Sequence, residues 1–91
     1  MKLEPLHQAE QTLWSALRRA EICRITLFTF KQDRFISLFV QDESFLLTES
    51  GYIKNELRFS DRTLARRFLK GMIKREFPRS HQVYVQIETD G

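Results

Sequence analysis

The chain has 91 residues, 42% hydrophobic and 30% charged, with a formal net charge of +3. That length holds one hydrophobic core and not two, and three glycines with two prolines in so mixed a composition exclude the disordered class. No apolar run approaches the roughly 20 residues of a membrane-spanning helix, and the single cysteine, Cys23, excludes an internal disulfide, so the expectation is one cytoplasmic domain over 1–91. The start, MKLEPLHQAEQ, has no apolar stretch of signal-peptide length and does not read as a targeting segment.

In chain order, PLHQAEQTLWSALRRAE carries Leu6, Ala9, Leu13, Ala16, Leu17 and Ala20 at spacings of three and four, the period of an amphipathic helix. Pro5 suits its first position, where the missing N–H has no partner to lose. Trp14 falls at the margin of the stripe and is expected half-buried. From residue 22 the period becomes two. ICRITLFTF, FISLFVQ and FLLTE, joined by short polar links, predict an antiparallel meander. With Gln32-Asp33 as a two-residue loop, Phe30 faces Phe35, Leu27 faces Leu38 and Ile25 faces Val40. One face then holds Cys23, Ile25, Leu27, Ile36, Leu38 and Val40, joined by Phe45 and Leu47. The other holds Arg24, Thr26, Phe28, Phe30, Phe35, Ser37, Phe39 and Gln41, joined by Leu46 and Thr48.

SGYIKNELRF (50–59) reads either as a turn with a short edge strand or as an extended lead-in. Ser60 is the expected N-cap of a second helix, with Phe59 and Leu64 as its hydrophobic staple, ending before Pro78. QVYVQIE (82–88) alternates Val83, Val85 and Ile87 against Tyr84 and Gln86 as a last strand, and residues 88–91 are expected to fray. The predicted fold is α+β, a two-layer sandwich of order α-β-β-β-α-β, its meander carrying both helices on one face. The other face would then leave Phe28, Phe30, Phe35, Phe39, Leu46 and Tyr84 in water, a larger apolar patch than monomers usually leave open.

The charge is uneven. Residues 1–59 balance at eight basic and eight acidic side chains, whereas 60–91 hold seven basic and four acidic. DRTLARRFLKGMIKR (61–75) alone has six cations and one acid. At 100° per residue, Arg62, Arg66, Arg67, Lys70 and Lys74 share an arc of about 140°. Leu64, Ala65, Phe68, Leu69 and Met72 form the apolar side, and Arg75 has to snorkel out of it. The i, i+4 cations repel by roughly 0.2–0.5 kcal/mol per pair, which a purely solvating face would avoid by mixing in acids. Glu10, Glu21, Glu49 and Glu56 are the acids that stand ready to pair from elsewhere.

Catalytic signals are sparse. His7 lies one helical turn from Glu10, too few ligands for a metal site; His81 lies in a link; Cys23 alternates inward as a small hydrophobe. The glycines are single and far apart, so no phosphate loop occurs. The chain is read as a non-catalytic interaction module without cofactor, metal or small-molecule substrate. It self-associates or docks a protein through Phe28, Phe30, Phe35, Phe39, Leu46 and Tyr84. The alternative is nucleic-acid or polyanion binding through Arg62, Arg66, Arg67, Lys70 and Lys74.

Overall fold

The two sequence periods become two helices and one antiparallel sheet. The computed structural model describes residues 1–19 and 21–89. Ala20, assigned above to the first helix, and Asp90 and Gly91 of the expected tail lie outside them. The elements are β1 (Lys2–Pro5), α1 (Leu6–Arg19), β2 (Cys23–Phe28), β3 (Phe35–Gln41), β4 (Ser44–Ser50), β5 (Lys54–Phe59), α2 (Arg62–Glu76) and β6 (Gln82–Thr89). The sheet has six strands in the order β1-β6-β2-β3-β4-β5, every neighbouring pair antiparallel. Among the described residues no helix is long and apolar enough to cross a membrane.

The expected order lacks two of these strands. β5 resolves the ambiguous stretch before α2 as an edge strand on β4. β1 is the four residues before α1, paired to β6 from the far end of the chain. Pro5 therefore ends a strand instead of opening the helix, and β1 is an edge, where a residue without an N–H is tolerated. The Leu6 N–H donates to the His81 carbonyl at 2.9 Å, tying that junction to the start of β6. Glu88 and Thr89, expected to fray, stay in register with Arg24 and Cys23 of β2.

The first hairpin is shifted by two residues from the expected pairing. Phe35 faces Phe28, Ile36 faces Leu27, Leu38 faces Ile25 and Val40 faces Cys23. Gln32-Asp33 lacks the two left-handed residues a tight hairpin turn requires, and only Gln32 takes a positive φ, at 59°. The connection is instead the wider segment 29–34. The Thr29 N–H donates to the Arg34 carbonyl at 3.0 Å and the Gln32 N–H to the Thr29 carbonyl at 2.8 Å. The Thr29 hydroxyl donates to the Asp33 carboxylate at 2.7 Å, and that bond holds the Asp33 carboxyl below its ordinary pKa. A shift of two preserves the alternation, so every side chain that stays in β2 or β3 keeps its expected face. Asp42 and Glu43, both at positive φ, supply the tight turn from β3 to β4.

The core is one cluster. Ala9, Leu13 and Leu17 enter it from α1 and Ala65, Leu69, Met72 and Ile73 from α2. The sheet adds Ile25, Leu27, Ile36, Leu38, Val40, Phe45, Leu47, Val83 and Val85. Each fully buried aliphatic side chain contributes roughly 1.5–3 kcal/mol. Trp14 is half-buried at the rim. Ile87 shares the core parity but is 53% exposed, beside an open depression of about 1000 Å³ between α1 and the ends of β2 and β6.

The N-cap of α2 is Asp61, not Ser60: its carboxylate accepts from the backbone N–H groups of Thr63 at 2.8 Å and Leu64 at 3.3 Å. A carboxylate caps a helix start as well as a hydroxyl does, and it also meets the positive end of the helix dipole. With the cap moved by one, the expected staple is lost, and the Phe59 ring packs on Phe68 with centroids 5.0 Å apart. Leu64 and Phe68, expected on the packed side, are 38% and 46% exposed. The buried stripe is instead Ala65, Leu69, Met72, Ile73 and Glu76.

Glu76 is the reason. Its side chain is fully buried, as is that of Glu49 on β4. Arg75 donates Nε and Nη2 to the two Glu49 oxygens, both at 2.7 Å, a fork-to-fork pair. Glu76 Oε1 accepts from the Tyr52 N–H at 3.2 Å and lies 3.6 Å from Arg34 Nη1, while Arg34 stacks 4.5 Å over the Tyr52 ring. Gly51 leaves the space: a Cβ there would collide with the Glu76 carboxylate. Burial and the facing Glu49 push the Glu76 carboxyl up. Burial opposes ionisation of Glu49 too, but hydrogen bonds from Arg75 and Glu76 and the Arg75 charge hold it below its ordinary value. Burial and the Glu49 side chain thus favour the protonated form of Glu76, whose buried Oε2 has no hydrogen-bond partner among the described residues.

Two outcomes follow from this packing. Glu76, raised in the fold, stabilises fully below its ordinary carboxyl pKa and loses that contribution as pH climbs through its folded pKa. Glu49, lowered, stabilises above its ordinary pKa and loses that contribution as pH falls through its folded pKa. Urea midpoints measured across pH should peak between the two folded values. Glu76→Gln, which keeps the size of the side chain and removes its titration, should abolish the decline on the alkaline side; an unchanged profile contradicts the raised Glu76 pKa as its cause. Gly71, inside α2, has no atom within 4 Å of an added Cβ outside the helix backbone. Gly71→Ala should therefore raise the unfolding free energy by about 1 kcal/mol in denaturant titration.

Candidate functional site

The sheet face opposite the core is built in three cross-strand rows. One runs Leu3, Tyr84, Phe28, Phe35 from β1 to β3. The middle row runs Gln86, Thr26, Ser37, Thr48, Glu56, and the third Glu88, Arg24, Phe39, Leu46, Arg58. The face is therefore apolar along the first row, polar along the middle one, and in the third carries Phe39 and Leu46 between charged residues, rather than one continuous apolar patch. Thr26, Ser37 and Thr48 floor a depression of about 380 Å³ walled by Phe28 and Phe35 on one side and Arg24, Phe39 and Leu46 on the other.

Five of the six expected interface residues are side by side on this face, and all five are half-buried. None belongs to the core. Phe28 and Phe35 meet at 5.6 Å between ring centroids. Phe30, displaced from β2 by the register shift, lies in the 29–34 connection, 64% exposed, and stacks on Tyr84 at 6.0 Å. The Arg24 guanidinium sits 4.7 Å from the centre of the Phe39 ring, which ties this cation to its aromatic neighbour in the row. Glu88, Arg58 and Glu56 complete the charge pattern. Strand alternation alone put Arg24 here, but placing Glu88 and Arg58 at opposite ends of one row requires the strand order, which local sequence does not carry.

The cations of α2 separate into two groups. Among the described residues the ion pairs are Arg75–Glu49 and Arg34–Glu76. Of the four acids considered as partners, Glu49 alone takes one, and the cation is Arg75, not a member of the outer face. Arg62, Arg66, Arg67, Lys70 and Lys74 have no carboxylate within 4 Å there. Arg66 and Lys70 lean over the Trp14 ring, at 5.0 and 6.0 Å. Arg66, Arg67, Lys70 and Lys74 border a shallow depression of about 470 Å³ with Thr63 and Gly71.

No group of three or more His, Cys, Asp or Glu side chains among the described residues is placed to hold a metal. Cys23 is half-buried against the core, and burial, reinforced by the Glu21 charge, pushes its thiol up, away from the reactive thiolate. Comparisons with protein-family models, with curated proteins and with solved structures find no match to this chain.

Proposed function

We propose that this chain is a non-catalytic interaction module that pairs with a second copy of itself through the open sheet face, both helices lying behind that face on the core side. The observation that carries this is the order of side chains along the rows. Strands β6-β2-β3-β4-β5 are five in number, with β3 central. A two-fold axis along β3 brings β6 over β5 and β2 over β4 of the other copy. Glu88 then meets the partner subunit's Arg58, while Phe35 and Phe39 meet their own counterparts, so the face is complementary to itself. Five strands about 4.8 Å apart and three rows about 7 Å apart give roughly 500 Å² in projection, and side-chain relief carries this toward the ~800 Å² per partner of a standard interface.

A second reading is supported by the unpaired cations of α2: a polyanion, nucleic acid included, following the line Arg62, Arg66, Lys70 and Lys74, with Arg67 beside it. The Phe28, Phe35, Phe39 and Tyr84 rings lie on the opposite side of the domain and Trp14 is overlaid by Arg66 and Lys70, so such binding would be governed mainly by phosphate charge.

Salt separates the two. Sedimentation should give a dimer that persists as salt is added. Phe39→Asp, which sets two carboxylates against each other at the axis, should give a monomer. Arg58→Glu should weaken association, and combining it with Glu88→Arg should restore it. Wild-type protein that remains monomeric at millimolar concentration overturns the pairing. For the second reading, anisotropy of a labelled duplex should report binding at low salt that falls steeply as salt rises and is lost in Lys70→Glu/Lys74→Glu. Binding that ignores salt or those substitutions rejects it.

A further inference from the structure

β5 is the last strand of the sheet, so one side of its backbone has no partner strand. Alongside it runs α2, and the two enclose a groove of about 300 Å³ lined by Asn55, Leu57, Arg67, Phe68, Gly71, Met72 and Arg75. Three features mark this groove as unfinished. Phe68 and Leu64 are half-exposed although the apolar stripe of α2 includes them, so the helix carries more apolar surface than its own domain covers. Gly71 opens onto the groove with nothing near its Cβ position, in a helix interior where glycine is a poor residue and no internal contact requires one. The backbone edge of β5 offers N–H and C=O groups at the regular spacing of a strand.

We infer that the β5–α2 groove binds an extended peptide that adds to the sheet as a seventh strand, with apolar side chains at alternate positions and acidic side chains between them. Edge addition supplies main-chain hydrogen bonds, and alternate side chains supply selectivity. Those turned toward α2 fall between Leu57 and Phe68, in the room left by Gly71. The others turn toward the open-face side of β5, where Lys54 and Arg58 flank the lone Glu56. Arg67, exposed and without a carboxylate within 4 Å among the described residues, borders the groove itself, so the peptide is acidic. Arg75 is already held by Glu49 and serves as wall. This site lies at the edge of the sheet and shares Arg58 with the face proposed for self-pairing, and it gives Arg67 of α2 a partner other than nucleic acid.

The test is a titration of nitrogen-15-labelled protein with the capped peptide Asp-Val-Glu-Leu-Glu-Val-Asp. Shifts should be confined to 54–59 and 64–75, with slowed hydrogen exchange at outward β5 amides. Gly71→Leu fills the groove from an unobstructed position and should cut affinity about tenfold or more while the free spectrum stays dispersed. Phe68→Ser, at a half-exposed position, should weaken binding similarly and serves if the leucine variant does not fold. N-methylation at the central leucine or at the glutamate beside it blocks an N–H turned toward β5 in one peptide and away from it in the other, so one of the two should bind more weakly. Absence of shifts along β5 overturns the proposal. So does equal binding of a capped glutamate heptapeptide, which would mean charge alone, or an oligonucleotide that binds the same residues while the peptide does not.

Discussion

A carboxylate at zero exposure has to be neutralised where it stands, and Glu49 stands at the end of the core face of β4, after Phe45 and Leu47. Much of the arrangement of α2 follows from that requirement. Arg75 supplies the bidentate guanidinium, and the next residue, Glu76, is carried beneath the turn at Gly51, where its carboxyl accepts from Tyr52 and faces Glu49. An ion pair of this kind is weak evidence for stability, because desolvation offsets most of the Coulomb attraction. What it fixes is register. The last turn of α2 is tied to β4, to the 29–34 connection and to the 50–53 turn by side chains that fit in one rotation of the helix.

That rotation has consequences at both flanks. On one side it brings Arg66 and Lys70 over Trp14 of α1. On the other it carries Leu64, Phe68 and Gly71 beyond the covered part of the sheet, so a helix that looks amphipathic in the ordinary way presents an apolar edge beside β5. The overhang is thus the geometric counterpart of burying a glutamate at the centre of the packed stripe.

The division of the sheet into two faces was legible because alternation is insensitive to a shift of two. The expected hairpin paired Phe30 with Phe35 where the structure pairs Phe28, yet Ile25, Leu27, Ile36 and Leu38 stayed in the core. Phe30 did not stay in the strand, since the true connection is six residues wide and takes it out. The candidate interface residues were legible for the same reason, and the charges that give the face its symmetry were not. β1 and β5 were obscure because an edge strand is short, polar and stabilised by its neighbour rather than by its own composition. Ser60 and Asp61 are both good caps one residue apart, a difference within the resolution at which local propensity places a helix end.

By itself the sequence determined the class of fold, the parity of the side chains of β2 and β3 and of residues 45–48 in β4, and the concentration of cations on α2, all local properties of period and composition. The tertiary structure decided which cations are spent inside the fold and which remain outward. It also decided that β6 enters between β1 and β2, which sets Glu88 and Arg58 at the two ends of one row, and that α2 overhangs β5. Each of these depends on contacts between residues far apart in the chain, whose pairing is chosen by shape and by the need to satisfy buried charge, and neither condition leaves a periodic trace in the sequence.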